Sequence, residues 1–144
     1  MRRPFLIFAL LLAGCGGPAA PSAAPIESAA DARAALQAAP HPDAQVELQR
    51  MTQAKAALDK ERSDKLAEVA NIESAIQGTE VAHELSGARE PDAARSAAQE
   101  QARSKTETLR QHITDRLDPD VAEAERRLAA AAAQLKIQTE QRVP

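Results

Sequence analysis

The chain has 144 residues, with 18 basic and 21 acidic side chains, a net charge of −3, and only two aromatic residues, Phe5 and Phe8. It contains no block of basic charge and no Trp or Tyr, so both the electrostatic footprint and the stacking platforms of a nucleic-acid-binding protein are missing. A single cysteine excludes an intrachain disulfide framework.

The amino-terminal stretch reads as an address. Arg2 and Arg3 form a positive region, Phe5 to Ala13 an apolar one, and small residues follow, which is the layout of a secretory signal. As a helix, Pro4 to Ala13 would be about 15 Å long against roughly 30 Å of hydrocarbon, too short for a stable membrane span. The segment Leu12-Ala13-Gly14-Cys15 resembles the lipobox of bacterial lipoproteins. That resemblance implies transfer of diacylglycerol to the Cys15 sulfur, with the thiolate as nucleophile. It also implies cleavage between Gly14 and Cys15, then further acylation, with palmitate among the chains. Gly14 and Ala13 would be the small residues at the cut and Leu12 the apolar one. Two or more acyl chains make membrane attachment stable where one does not. The residue after Cys15 is Gly16 and not Asp, which in Gram-negative members of that class points to the outer membrane. Residues 1–14 are thus expected to be a lipoprotein signal peptide.

Removing them takes away Arg2 and Arg3 and no acid, leaving 16 basic and 21 acidic side chains, a balance of −5. The remaining 130 positions hold 20 residues of Leu, Ile, Val and Met, a supply that favours elongated or partner-assisted helices over a compact globule. Residues 15–25 form a tether from the lipidated cysteine, because the Gly, Pro and Ala run from Gly16 to Pro25 opposes both helix and sheet. Residues 26–40 have the composition of a short helix, with Ile26, Ala29, Arg33 and Leu36 along one side. Only two of those are large and apolar, a weak face for docking.

Residues 41–144 read as a helical hairpin domain. Three starts share one signal, His41-Pro42-Asp43, Glu90-Pro91-Asp92 and Asp118-Pro119-Asp120. A proline at the first helical position loses no hydrogen bond there, and an aspartate faces the positive end of the helix dipole. From Asp43 to Leu85 nearly every residue favours helix, and Met51, Leu58, Val69, Ile72 and Ile76 recur at helical spacing. The run Asp59 to Lys65 has no apolar side chain and is expected to be solvated, with Glu61 and Lys65 as an i,i+4 pair. Gly78 marks a bend or end, and Gly87 is placed for a left-handed cap. The second arm carries Ala94, Ala98, Ala102, Leu109, Ile113, Leu117, Val121, Ala124, Leu128, Ala132 and Leu135, at a mean interval slightly above 3.7 residues. That interval favours straight or slightly right-handed packing. Pro119 lies within the stripe, where its ring meets the carbonyl of Asp115, so the arm is either broken or kinked there. The two arms match in length, about 65 Å each, with a six-residue turn between them. Residues equidistant from the turn should therefore meet, Leu58 near Val121 and Val69 near Leu109 among them.

Candidate chemistry is sparse. His83-Glu84-Leu85-Ser86-Gly87 begins like a zinc-protease motif but has Gly87 where the second histidine must stand. His41 and His112 read as solvated. Glu123 and Glu125 lie two apart, on different helical faces, and the alanine run Ala129 to Ala133 reads as filler. Neither an enzyme, a cofactor, a metal nor a small-molecule substrate is expected. The fold class is all-α, an elongated antiparallel helical hairpin or coiled-coil-like rod whose second arm is kinked or broken at Pro119. The expected role is that of an outer-membrane-anchored periplasmic lipoprotein, a structural or protein-interaction component of the cell envelope. Its partners would be the membrane, through the lipid on Cys15, and a protein or second copy through the helical faces. The alternative is an accessory protein similar to the α-helical pilotins of secretion complexes, which need a compact groove for a partner's helix.

Overall fold

A computed structural model describes residues 25–87 and 93–141, and the lipobox, most of the tether and the turn of the hairpin lie outside them. Among the described residues the protein is all-α: α1 (Ala29–Gln37), α2 (Ala44–Ser86), α3 (Ala93–His112), a π-helical turn (Ile113–Leu117) and α4 (Asp118–Glu140). α2 is one unbroken helix of 43 residues, about 65 Å long. α3, the π turn and α4 form the second arm antiparallel to it.

Local chemistry sets the helix ends. The Asp43 side chain accepts from the N–H groups of Gln45 and Val46, so Asp43 is the N-cap of α2. Pro42 therefore precedes the cap and does not occupy the first helical position, because a side-chain acceptor satisfies two orphan donors and a proline none. α2 does not end or visibly weaken at Gly78; it runs on to Ser86 and stops at Gly87, whose φ of 64° is open to glycine at little cost. Ser28 caps α1 by accepting from the Asp31 N–H.

The second arm passes Pro119 without a break, so of the two outcomes expected there the continuous arm is the one found. In the turn before the proline the Asp118 N–H bonds to the Ile113 carbonyl, five residues back where an α-helix would use four. That wider turn shifts the carbonyls out of the four-back position where the ring would strike one, and Pro119 then sits in the first turn of α4. Asp118 consequently makes no capping bond; its carboxylate accepts from Arg62 of α2 at 2.6 Å.

The hydrophobic core lies in the basal half of the hairpin. Met51, Leu58, Leu117 and Ala124 are fully buried, joined by Ala54 and Ile113, with Val121 and Leu128 packed against them. Ala32 of α1 is buried in the same cluster, flanked by Ala29, Ala35 and Leu36. α1 thus docks in spite of its weak face, running antiparallel to α2 across the α2–α4 groove and making a three-helix bundle of the base. Among the described residues the distal half has no third helix. Of those residues only Val69 and Thr106 are buried there, and Leu66 is 44% exposed. Ion pairs tie the arms along their length, Arg62 to Asp118, Lys55 to Glu125 (3.3 Å), Lys105 to Glu68 (2.7 Å) and Arg103 to Glu80 (3.2 Å). Each joins residues within about one and a half turns of the equidistant register.

Candidate functional site

Two places in the described structure combine polar chemistry with tertiary position, a clasp at the base and a two-sided hairpin at the distal end. The clasp is built on the carboxyl end of α1. A helix end leaves carbonyls without partners and a partial negative charge, which a cation can satisfy. Arg127 of α4 reaches them: its Nη1 donates to the carbonyls of Leu36 (2.7 Å), Ala38 (3.1 Å) and Ala35 (3.2 Å). Its Nη2 donates to Glu47 Oε1 at 2.6 Å. Glu47, on the first turn of α2, is 3% exposed. Its other oxygen accepts from the backbone N–H of His41 at 3.0 Å and pairs with Arg50 at 2.9 Å, while Arg50 also donates to the Ala39 carbonyl.

Burial alone would raise the Glu47 pKa. The His41 N–H, the Arg127 hydrogen bond and the charges of Arg50 and Arg127 outweigh it, holding the carboxyl below its ordinary range. The middle of α1 is clipped as well. Arg33 donates to Asp120 of α4 at 2.8 Å and to Glu61 of α2 at 3.1 Å. The hydrogen bond to Asp120 is the main reason that its guanidinium is held still more firmly protonated.

The run Asp59 to Lys65 is therefore not simply solvated. Glu61 faces Arg33, with His112 Nε2 at 3.6 Å, and not Lys65, which turns to Glu68 at 3.3 Å. The i,i+4 pair in this run is Lys60 with Asp64. A fixed cation arriving from α1 competes for Glu61 and wins it from a flexible lysine on the same helix.

Cys15 and Gly14, the lipidation and cleavage residues expected from the sequence, lie outside the described residues. His41 and His112 both take part in structure, His41 Nδ1 accepting from the Asp43 N–H at 3.0 Å. His83 sits near the distal end of α2, where its carbonyl accepts from the Ser86 hydroxyl. Glu123 pairs with Arg126, and Glu125 with Lys55. Among the described residues no three His, Cys, Asp or Glu side chains come together as a metal group. The clasp sets two guanidiniums against one buried carboxylate and the carbonyl end of α1, an arrangement that fastens α1 to α2 and α4.

The distal half is two-sided. One face carries a cleft of about 450 Å³ lined by Glu73, Glu80, Arg103, Glu107 and Arg110 among others. The other carries a groove of about 320 Å³ whose walls include Ile72, Ala75, Ile76, Ala98 and Ala102. Ala98, read from the sequence as part of the seam between the arms, is exposed on this groove's shoulder, and Ala102 is half-buried. The chain matches no family model, no curated protein and no solved structure.

Proposed function

We propose that this chain is an outer-membrane-anchored periplasmic lipoprotein, a non-enzymatic protein-interaction component of the cell envelope. The observation that carries the interaction role is the distal hairpin, which gathers most of its charges on one face and leaves a mainly apolar groove, with Arg95 in its lining, on the other. The anchoring half of the reading rests on Leu12-Ala13-Gly14-Cys15 and the Pro-rich tether that follows it. The described chain begins at the side of α2, where the Ile26 N–H donates to the Gln53 side chain at 3.3 Å. From Gln53 to the end of α2 is about 50 Å, so the clasped base takes the tether and the hairpin projects from it. No helix among the described residues is long and apolar enough to cross a membrane.

Metabolic labelling with a tagged fatty acid tests the anchor: the wild-type chain should be labelled and Cys15→Ser should not, because a hydroxyl cannot form the thioether. A labelled serine variant would refute it. The pilotin-like reading stands second. The distal groove favours it, since a partner's helix could lie there, but a pilotin's groove is compact and this one runs along an extended rod. Small-angle scattering separates the two, an elongated particle favouring the first and a globular one the second.

A further inference from the structure

The apolar groove is the upward continuation of the seat that α1 occupies. Steps of three and four residues along α2, from Ala57 and Glu61 under α1 through Asp64 and Glu68 to Ile72 and Ala75, stay on one side of the helix. At the base a third helix fills that side. In the distal half none of the described residues does.

The uncharged surface is wider than the groove itself. On α2 its shoulder is Ala67, Asn71, Ala75, Gly78, Ala82 and Leu85, all exposed, with Leu85 at 83%. A side chain added at Gly78 would meet nothing within 4 Å. On α3 the shoulder is Ala97, Ala98 and Gln101, also exposed. The charges on this side are Glu68 and Lys105, paired with each other at 2.7 Å where the α1 seat ends, and Arg95, which lines the groove near the turn. The opposite face of the same two helices carries Glu73, Glu80, Glu84, Arg103, Glu107 and Arg110. A helix pair that gathers most of its charges on one side and leaves small, mainly uncharged residues on the other has a side suited to contact with protein.

We propose that this face is a self-association surface, on which the distal hairpin of a second copy lies to complete a four-helix bundle. Two arguments favour a second copy. The face is self-complementary, since an uncharged, small-residue surface meets an identical one with no like charges opposed except at the rim, and alanine and glycine shoulders let helix axes approach closely. The area fits a weak dimer: about 27 Å of α2, from Ala67 to Leu85, and about 18 Å of α3, from Ala93 to Lys105, each about 10 Å wide, cover roughly 450 Å² per copy, or about 900 Å² in all. That is the size of a transient association, a little under the ~1,000 Å² expected of a stable specific interface. The two-fold arrangement is isologous and closes at two copies. This deepens the interaction role proposed above and is independent of the lipid anchor.

The test uses the full chain, expressed with its signal and purified in mild detergent, with sedimentation equilibrium matched to the detergent's density. Wild type should show a reversible monomer–dimer equilibrium across the micromolar range. Ala75→Glu and Ala98→Glu, each placing a charge on the apolar face, should weaken association at least tenfold while leaving helical content and thermal midpoint unchanged. Gln77→Glu on the opposite face should leave association as it is. In intact cells a benzophenone side chain at position 98 should give an adduct of twice the chain's mass, and one at position 77 should not. A chain that stays monomeric at all concentrations, dimers that persist in both glutamate variants, or an adduct from position 98 solely to a different protein would each overturn the proposal. Fatty-acid labelling, read separately, reports on the anchor and is unaffected by any of these outcomes.

Discussion

Replacing Arg127 by alanine should release α1. The guanidinium makes three hydrogen bonds to carbonyls at the end of α1 and one to Glu47. The carbonyl bonds converge on one nitrogen, and Ala38 is exposed, so water can replace part of what is lost. The larger effect is on Glu47, left buried with only Arg50 and one backbone N–H. Breaking a buried ion pair from one side costs about 3–5 kcal/mol, a large share of the ~5–15 kcal/mol that keeps a domain folded. Glu47→Gln, which keeps one acceptor oxygen, should cost about 1.5–3 kcal/mol. The double variant Arg127→Ala with Glu47→Ala should fall short of additivity by ~0.5–3 kcal/mol, because each partner's removal has already orphaned the other. Urea unfolding followed by far-ultraviolet circular dichroism gives these values, and amide exchange at Ala32 and Ala35 reports whether α1 has come away. An Arg127→Ala chain less than about 1 kcal/mol destabilised, with α1 amides still protected, would refute the clasp. The same carboxylate gives a pH dependence. Its folded pKa lies below the ordinary value of about 4.5, so its contribution is fully present above that pH and is lost as pH falls through the folded value. The gap between wild type and Glu47→Gln should therefore narrow as pH is lowered from about 4.5.

The two described glycines should respond oppositely. Gly78→Ala, inside α2 with open space around the new methyl, should stabilise by about 0.5–1 kcal/mol, whereas Gly87→Ala, at φ 64°, should destabilise by about 1–2 kcal/mol, both read from thermal midpoints. Gly16→Asp should move the protein toward the inner membrane of a Gram-negative host on a density gradient, and an unchanged profile would separate this chain from the sorting rule of the lipoproteins that its lipobox resembles.

The arms were legible because helix formation over Asp43 to Leu85 is a summed, local property, and Asp43 and Gly87 mark its ends with side-chain and backbone chemistry of their own. Even the π turn left a trace: apolar residues at 109, 113, 117 and 121 are spaced wider than an α-helix prefers, and a wider turn is what places Ile113 and Leu117 together inside. The docking of α1 was not legible, since it depends on an arginine about 90 residues away meeting three backbone carbonyls. A partial signal existed. Continuing the buried stripe Leu58, Ala54, Met51 one turn back arrives at Glu47, and Arg127 interrupts the buried stripe of Ala124 and Ala131, so opposite charges stand on facing core positions. The two-sidedness of the distal half was misread because alanine satisfies a core stripe and an exposed apolar shoulder equally well, and nothing in the spacing of Ala94, Ala98 and Ala102 distinguishes them.

The π turn also makes the middle of the second arm a place where the chain can absorb a change of length. The Asp118 N–H bonds to the carbonyl five residues back, so the wide turn holds one residue more than an α turn and still hands the chain to α4 in the same phase. Deleting one residue between Ile113 and Leu117 would turn that bond into the four-back bond of a regular helix and leave Asp120 and Arg127 facing α1, with the cost falling on Pro119, whose ring would then meet a carbonyl. The same deletion in the regular helix between Pro119 and Arg127 would rotate Arg127 by about 100° and draw it away from the end of α1.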